Sequence, residues 1–493
     1  MRSLRPLLWL LPDEVVEFRQ VEAPLVPERF SNLESVMSIT AALQVSHFAR
    51  WKYYASRIRV LKFSNHMFEK LRFRVGRSVY EALLSDNPTG APLLPKLREL
   101  RALNPDDHTL LRLSLNPNIK HIDIDGGFML TPDLQDARTW DHLMDILNEN
   151  KIPATVRELS IALRWSWQDL TMPLPTSVFA HILKYSRLSK LHLPSFQLSD
   201  ISTLSQLGQL PLEAATLNLT ILADMQLPPG CFTALKKATI IVNDSDVLIG
   251  LVRQWDTENL ESLIIRRFLR TFFWDVNTIL KCLQQHLPSV SLRRLYIYSS
   301  APESSAPFDE NTSGASITDL EHLFTFRNLT SLTMSAGGPF SLTDADLMKI
   351  AAAWPLLEQF IAYEREVSAW PSVTPTGLAS FVGALPHLTD VILRFDATAD
   401  FLALESVVPH KRVTTFDVCT SVAVTPERLT EFMHKLFPAL DCIGYGWSYL
   451  DRWASASAPP IYESEEEFEV GTASLACWKK VHESFGNIPS LMW

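Results

Sequence analysis

Cysteine is scarce in this 493-residue chain, and the five present do not suggest pairs: Cys231, Cys282, Cys419, Cys442 and Cys477 are odd in number and widely separated. They form no disulfide framework of the kind that staples secreted domains, and the expected setting is a reducing one, cytoplasmic or nuclear. Long apolar runs are also missing. No stretch approaches the ~20 residues of a membrane span, so no membrane partner is expected. The greasy run Leu7–Leu11 meets Pro12, Asp13 and Glu14 too soon to act as a secretory h-region. Positive charge is in deficit, with 45 Lys and Arg against 55 Asp and Glu and a formal net charge of -10, which argues against a nucleic-acid footprint. The patterns GxxxxGK[ST], HExxH, GxSxG and paired CxxC are absent. No enzyme activity, cofactor or metal is expected.

What is present is a core-forming composition, 47% hydrophobic and 20% charged, and one phrase repeated along it. The phrase reads apolar, two residues, apolar, one residue, apolar. It occurs fourteen times, from Ile58/Leu61/Phe63 through Ile119/Ile122/Ile124, Leu188/Leu191/Leu193, Leu260/Leu263/Ile265 and Leu329/Leu332/Met334 to Leu440/Ile443/Tyr445. The mean period is about 29 residues, at the long end of leucine-rich repeats. A unit of that length is one strand and one helix, which buries its apolar face only against its neighbours. The fold class is therefore α/β, a leucine-rich-repeat solenoid (horseshoe) with parallel strands on the concave face and helices on the convex face.

The pattern divides the chain into three regions. Residues 1–55 lack the phrase and are broken by Pro24 and Pro27; Phe48, Trp51, Tyr54, Ile58 and Leu61 then recur at helical spacing, as in an N-terminal helical cap. Residues 56–450 carry the solenoid. There Thr318 with Glu321 reads as a capping box, Thr343 opens a helix striped by Leu347, Ile350, Ala351 and Trp354, and Thr374-Pro375 and Thr425-Pro426 read as caps before a first-turn proline. Pro355, Pro386 and Pro438 end helices ahead of the next strand. Residues 299–316, rich in Ser and Pro, read as a loop insertion. Residues 451–493 read as a linker, an acidic run from Glu463 to Glu469 in the manner of a solvated tail, and a capping helix with Leu475, Trp478, Val481 and Phe485 on one face.

Alternate side chains of a strand point to opposite faces, so the residues between the apolar positions line the concave face. In the first half these are polar or small: His121, Asp123, Asp125, Glu158, Ser160, Lys190 and His192. His121-x-Asp123-x-Asp125 has a spacing that suits a divalent metal, but no second cluster supplies further ligands, and it reads as a solvated face. Later repeats offer Ile264, Arg266, Arg294, Tyr296, Tyr298, Ile361, Tyr363, Ile392 and Arg394. Tyrosine and arginine dominate binding hot spots, so these nine are the candidate partner-binding residues. A face covered by the C-terminal segment or by the 299–316 loop accounts for them equally. Arg266, Arg267 and Arg270 beside Phe268, Phe272, Phe273 and Trp274 imitate a base-stacking surface, but the aromatics read as core of the next helix.

Asp346–Phe360, Thr376–Val391 and Pro426–Ile443 resemble the repeats of fungal F-box proteins with leucine-rich repeats, and Leu4–Glu17 with Phe48–Phe63 is similar to the segment C-terminal to the F-box in mushroom-type members. The resemblance implies a substrate-receptor subunit of a cullin-type (SCF) ubiquitin ligase. The F-box itself, a compact three-helix unit, is not seen here. Leu11-Pro12-Asp13-Glu14 imitates its opening, but Pro24 and Pro27 interrupt the helices that should come next. An adaptor partner is therefore implied only if an F-box lies upstream of Met1. The alternative is a stand-alone repeat scaffold that binds another protein.

Overall fold

The computed structural model describes residues 5–8, 10–11, 13–22, 33–62, 73–75, 77–85, 87, 92–103, 108–125, 137–149, 155–162, 172–220, 226–255, 257–267, 275–299, 316–335, 340–362, 371–401, 403–419, 421–440, 442–444 and 465–485. The chain divides into two compact units, Met1–Asn218 and Leu219–Trp493.

The first unit opens on a sheet that the repeat pattern does not announce. Strand β1 (Val16–Glu22) runs antiparallel to β2 (Leu33–Ile39), with Val16 opposite Ile39 and Glu22 opposite Leu33. After β3 (Val60–Lys62), β4 (Phe73–Val75) adds parallel to β2. The N-terminal region thus holds a strand pair as well as the expected helix, Val45–Ala55. That helix buries Phe48 and Trp51, while Tyr54 is 40% exposed. Ala55 lies between Phe48 and Trp51 on the helical wheel and continues the stripe in its place.

Repeat strands then accumulate in chain order. In the first unit β3 pairs with β5 (Glu99–Leu103), then come β6 (His121–Asp125), β7 (Glu158–Ala162), β9 (Lys190–Leu198) and β10 (Ala214–Leu219), with β8 (Met172–Pro173) pairing along β9. One carbonyl just before each strand accepts two consecutive N–H groups of the next repeat: Arg98 O from Lys120 and His121, Lys120 O from Arg157 and Glu158, Arg157 O from Ser189 and Lys190. The buried Asn116 adds a side-chain link, its amide donating to the carbonyls of Leu94 and Leu97 at 3.0 and 3.2 Å. In the core Trp140 meets Phe196 edge to face at 5.3 Å.

His181 is buried within this unit, with Nε2 2.7 Å from the Tyr185 hydroxyl. Burial, with a smaller contribution from the Lys184 charge, pushes its pKa down to about 4. The unfolded chain binds that proton more readily, so the stability His181 contributes is complete above about pH 6.5 and is lost as pH falls towards 4. The loss is of order 3 kcal/mol. Urea unfolding midpoints should fall across that window, and His181→Leu should remove a slope of about one proton. An unchanged slope would dissociate His181 from the acid response.

In the second unit β11 (Lys237–Val242), β12 (Ser262–Arg267), β13 (Arg294–Ser299), β14 (Ser331–Ser335), β15 (Gln359–Ala362), β16 (Asp390–Ile392), β17 (Thr415–Asp417) and β18 (Cys442–Gly444) pair in sequence order, all parallel. The middle position of the repeated phrase is in register throughout: Ala238, Leu263, Leu295, Leu332, Phe360, Val391, Phe416 and Ile443 lie side by side and are buried. Rings bridge strand to helix behind them, Phe360 to Phe381 at 5.3 Å and Phe416 to Phe437 at 5.0 Å.

Asp200, Asp244 and Asp275 cap three of the described helices, and hydroxyl residues start several later ones. Thr343 forms a capping box with Asp346, and Leu347, Ile350 and Ala351 of helix Asp344–Ala353 are buried together with Trp354 at its C-cap. Thr374 caps helix Pro375–Ala384 by accepting the Gly377 N–H. Two expectations are corrected. Ser316, paired with Asp319, caps the helix assigned to Thr318, because a 3-10 turn begins at Glu321 and the frame moves back two residues. Thr425 stands at the N-cap of Pro426–Leu436 but makes no side-chain cap bond.

The acidic run also differs from the expected tail: from Glu465 its backbone forms the first turns of helix Glu465–Ser484. Residues 300–315 of the insertion and 451–464 of the linker lie outside the described residues.

Candidate functional site

The face of the second unit's sheet that carries the alternate residues is built from rows running across the strands. Its middle row is Thr239, Ile264, Tyr296, Thr333, Ile361, Ile392 and Asp417, each in register with the next. Ile264, Tyr296, Ile361 and Ile392 are half-buried, and Thr333 between them is 2% exposed. Adjacent strands lie about 4.8 Å apart, so the stretch from Ile264 to Ile392 spans about 19 Å.

A polar row lies beside it: Lys237, Ser262, Arg294, Ser331, Gln359, Asp390. Part of it is a directed hydrogen-bond chain. The Asp390 carboxylate accepts from the Thr389 hydroxyl at 2.6 Å and from Gln359 Nε2 at 3.2 Å. That fixes the Gln359 amide, whose Oε1 accepts from the Ser331 hydroxyl at 2.8 Å. Ser331 has a single proton, so at 3.1 Å the Tyr296 hydroxyl donates to Ser331 Oγ. Tyr296 is thereby held by side chains from the next three strands.

The third row brings Arg266 beside Tyr298. The Arg266 guanidinium lies 5.6 Å from the centre of the Tyr298 ring, and Tyr298 stacks on Tyr296 with centroids 6.2 Å apart and planes 8° apart. Cation and ring attract through the ring quadrupole. Burial, the largest influence, pushes the Tyr298 phenol above its ordinary value. Ile241, also in this row, is buried.

Of the nine residues singled out from the sequence, the structure gathers seven here: Ile264, Arg266, Arg294, Tyr296, Tyr298, Ile361 and Ile392. Tyr363 lies outside the described residues. Arg394 differs from the expected exposed position: it is only 4% exposed, and beyond the end of β16 at Ile392 its neighbours Leu393 and Phe395 are buried as well. Ser331, Gln359 and Asp390 were missed, although they occupy the same alternate positions of the phrase; as ordinary polar residues they read as surface. Asp417 also lies on the middle row. Burial pushes its carboxyl up, while it accepts the Cys419 N–H at 2.7 Å.

The corresponding face of the first unit is self-neutralised. His121 Nδ1 lies 2.8 Å from Glu158, Lys190 reaches the other Glu158 oxygen at 2.5 Å, and Arg101 pairs with Glu99 at 2.6 Å. Burial raises the Glu158 carboxyl, but the Lys190 and His121 hydrogen bonds outweigh it and hold the group below its ordinary range. His121 thus faces a carboxylate across the strands, and among the described residues no group of three His, Cys, Asp or Glu could hold a metal ion. No described helix is long and apolar enough to cross a membrane.

A parallel strand ladder with one apolar phrase per strand and a helix behind it is a leucine-rich-repeat solenoid. No protein-family model matches the chain, and no curated protein does. Among solved structures it is similar to an internalin (inlF) from Listeria monocytogenes, 14% identical over 66% of this chain and 80% of that one, TM-score 0.31. It is also similar to TLR13 in the TLR13–ssRNA13 complex, 13% identical over 78% of this chain and 57% of that one, TM-score 0.33.

Proposed function

We propose that this chain is a non-catalytic recognition module that holds a protein partner on the β12–β16 face, and that it serves as the substrate receptor of an SCF-type ubiquitin ligase. The observation that carries the first part is the row Ile264, Tyr296, Ile361 and Ile392, apolar and aromatic side chains half-open to solvent where a solvated sheet face is normally polar. Tyr296→Ala should weaken a partner by more than about 1 kcal/mol, measured by titration calorimetry. Unchanged affinity would remove this face from the reading.

The ligase role is supported by the F-box-type repeat phrases, each of which folds as helix, proline turn and strand: Asp346–Phe360, Thr376–Val391 and Pro426–Ile443. A stand-alone scaffold is favoured by one observation. Asp13–Val15 is a 3-10 turn and Val16–Glu22 and Leu33–Ile39 are strands, where a three-helix F-box would need helices. The adaptor link then requires an F-box upstream of Met1. Tagging the native gene at its C-terminus and reading both N-terminus and partners by mass spectrometry separates the two. Added residues before Met1 with adaptor and cullin support the ligase; their joint absence supports the scaffold. Cys231, Cys282, Cys419 and Cys477 are buried, in keeping with a cytoplasmic or nuclear setting.

A further inference from the structure

Strands β11, β12 and β13 contain four basic residues, Lys237, Arg266, Arg267 and Arg294, and no Asp or Glu. This cationic block stands in a chain whose formal net charge is -10. Lys237, Arg266 and Arg294 lie on the candidate face and are exposed, and among the described residues none of the three has a carboxylate within ion-pair distance. The first unit neutralises the cations of its equivalent row; the second leaves them open.

Their spacing has a period. Arg294 is in register with Ser262, and Arg266 with Tyr298, so the two arginines sit on neighbouring strands four residues apart along the strand direction. At about 3.3 Å per residue and 4.8 Å between strands, their backbones are about 14 Å apart. Between them lie Ile264 and Tyr296, side by side and half-buried. An extended chain turns residues i, i+2 and i+4 to one side over about 13 Å. The repeat of an extended ligand therefore matches the sequence cation, apolar platform, cation on this face.

Resting on the recognition reading above, we propose that the occupant is an extended protein segment of the pattern acidic–x–apolar–x–acidic. Its carboxylates meet Arg294 and Arg266, and its central side chain packs on Ile264 and Tyr296. Arg266 is pre-positioned by the Tyr298 ring, and Tyr296 by Ser331, Gln359 and Asp390, so little side-chain freedom is lost on binding. A nucleic-acid strand would meet the same cations, but the polar row continues into the Asp390 carboxylate and the middle row ends on Asp417, and carboxylates repel a phosphate backbone.

The test is selection of a phage-displayed random dodecapeptide library on the full chain. Recovered peptides are then resynthesised and titrated by fluorescence polarisation against wild type, Arg266→Glu, Arg294→Glu, Ile361→Asp and the helix-side control Lys281→Glu. Thermal unfolding checks that each variant folds. The expected result is enrichment of two acidic residues four apart around an apolar one, with affinity falling at least tenfold in either arginine variant and unchanged in Lys281→Glu. Binding should also weaken with salt, and replacing both acidic residues by Lys should abolish it. Neutral or basic peptides that still depend on Ile361 would overturn the acidic pattern and leave the recognition face standing. Peptides indifferent to all three face variants would overturn both. A single-stranded DNA dodecamer that displaces the acidic peptide at lower concentration would also overturn the assignment.

Discussion

Trp478→Ala is expected to release the C-terminal helix from the last repeats while the strands further back keep their protection. Trp478 is fully buried, its indole N–H donates to the Ser421 carbonyl at 2.8 Å, and its ring meets Phe395 at 5.9 Å. The rest of the helix is fastened by polar and stacking contacts. Ser474 Oγ accepts the Ala423 N–H at 3.2 Å, His482 Nδ1 donates to the Ile443 carbonyl at 2.7 Å, and Phe485 stacks on His434 at 3.9 Å. Emptying a tryptophan site costs about 3–5 kcal/mol, and the unpaired Ser421 carbonyl adds to that. In a solenoid each repeat depends on its neighbours only, so the loss should stay local. Hydrogen exchange should show protection in 465–484 and 421–444 falling by two to three orders of magnitude, with β11–β13 nearly unchanged. Equal loss in β11–β13 would mean that the helix stabilises the whole unit cooperatively.

The repeats were readable in the sequence because each strand must bury the same side of itself against the same kind of helix. The phrase positions Leu263, Leu295, Leu332, Phe360, Val391 and Phe416 therefore coincide with the strand register. Caps at Thr343 and Thr374 were readable for the same local reason. Ser316 and Thr318 each have an acid three residues later, Asp319 and Glu321, so the pattern alone does not choose between them; the 3-10 turn after them does. The β1–β2 pair was hidden because VEFRQVE is mostly polar and its partner strand begins ten residues after it ends. The acidic start of helix Glu465–Ser484 looked like a solvated tail because its anchors, Ser421 and Ile443, are distant in sequence. At the candidate face the large residues were visible, but the hydrogen-bond chain from Tyr296 to Asp390 was not, since four strands contribute to it. Arg394 was misplaced because alternation was extended past the end of a three-residue strand.

Gly377→Ala should reverse the usual effect of that substitution in a helix. Exchanging glycine for alanine inside a helix ordinarily gains about 1 kcal/mol. Here a Cβ would lie 1.9 Å from Asp344 Oδ1 and 2.8 Å from Asp344 Cβ, so rotating the carboxylate away is insufficient and the Asp344 backbone must move too. Asp344 begins one helix and reaches the cap of the next, accepting the Thr374 N–H at 2.7 Å and the Thr374 hydroxyl at 2.6 Å. Displacing it breaks both bonds and loosens the cap that Thr374 supplies to Gly377 at 3.1 Å. The expected loss is about 2–3 kcal/mol, read from denaturant midpoints. In an Asp344→Gly background the obstacle is gone, and the same Gly377→Ala change should stabilise by up to about 1 kcal/mol. A reversal of sign between the two backgrounds identifies the cause as this one close approach between neighbouring repeats. Destabilisation of similar size in both would place the cause elsewhere in the helix. Because two side chains from successive caps meet here, the contact also sets how closely these helices stack, which no single repeat specifies by itself.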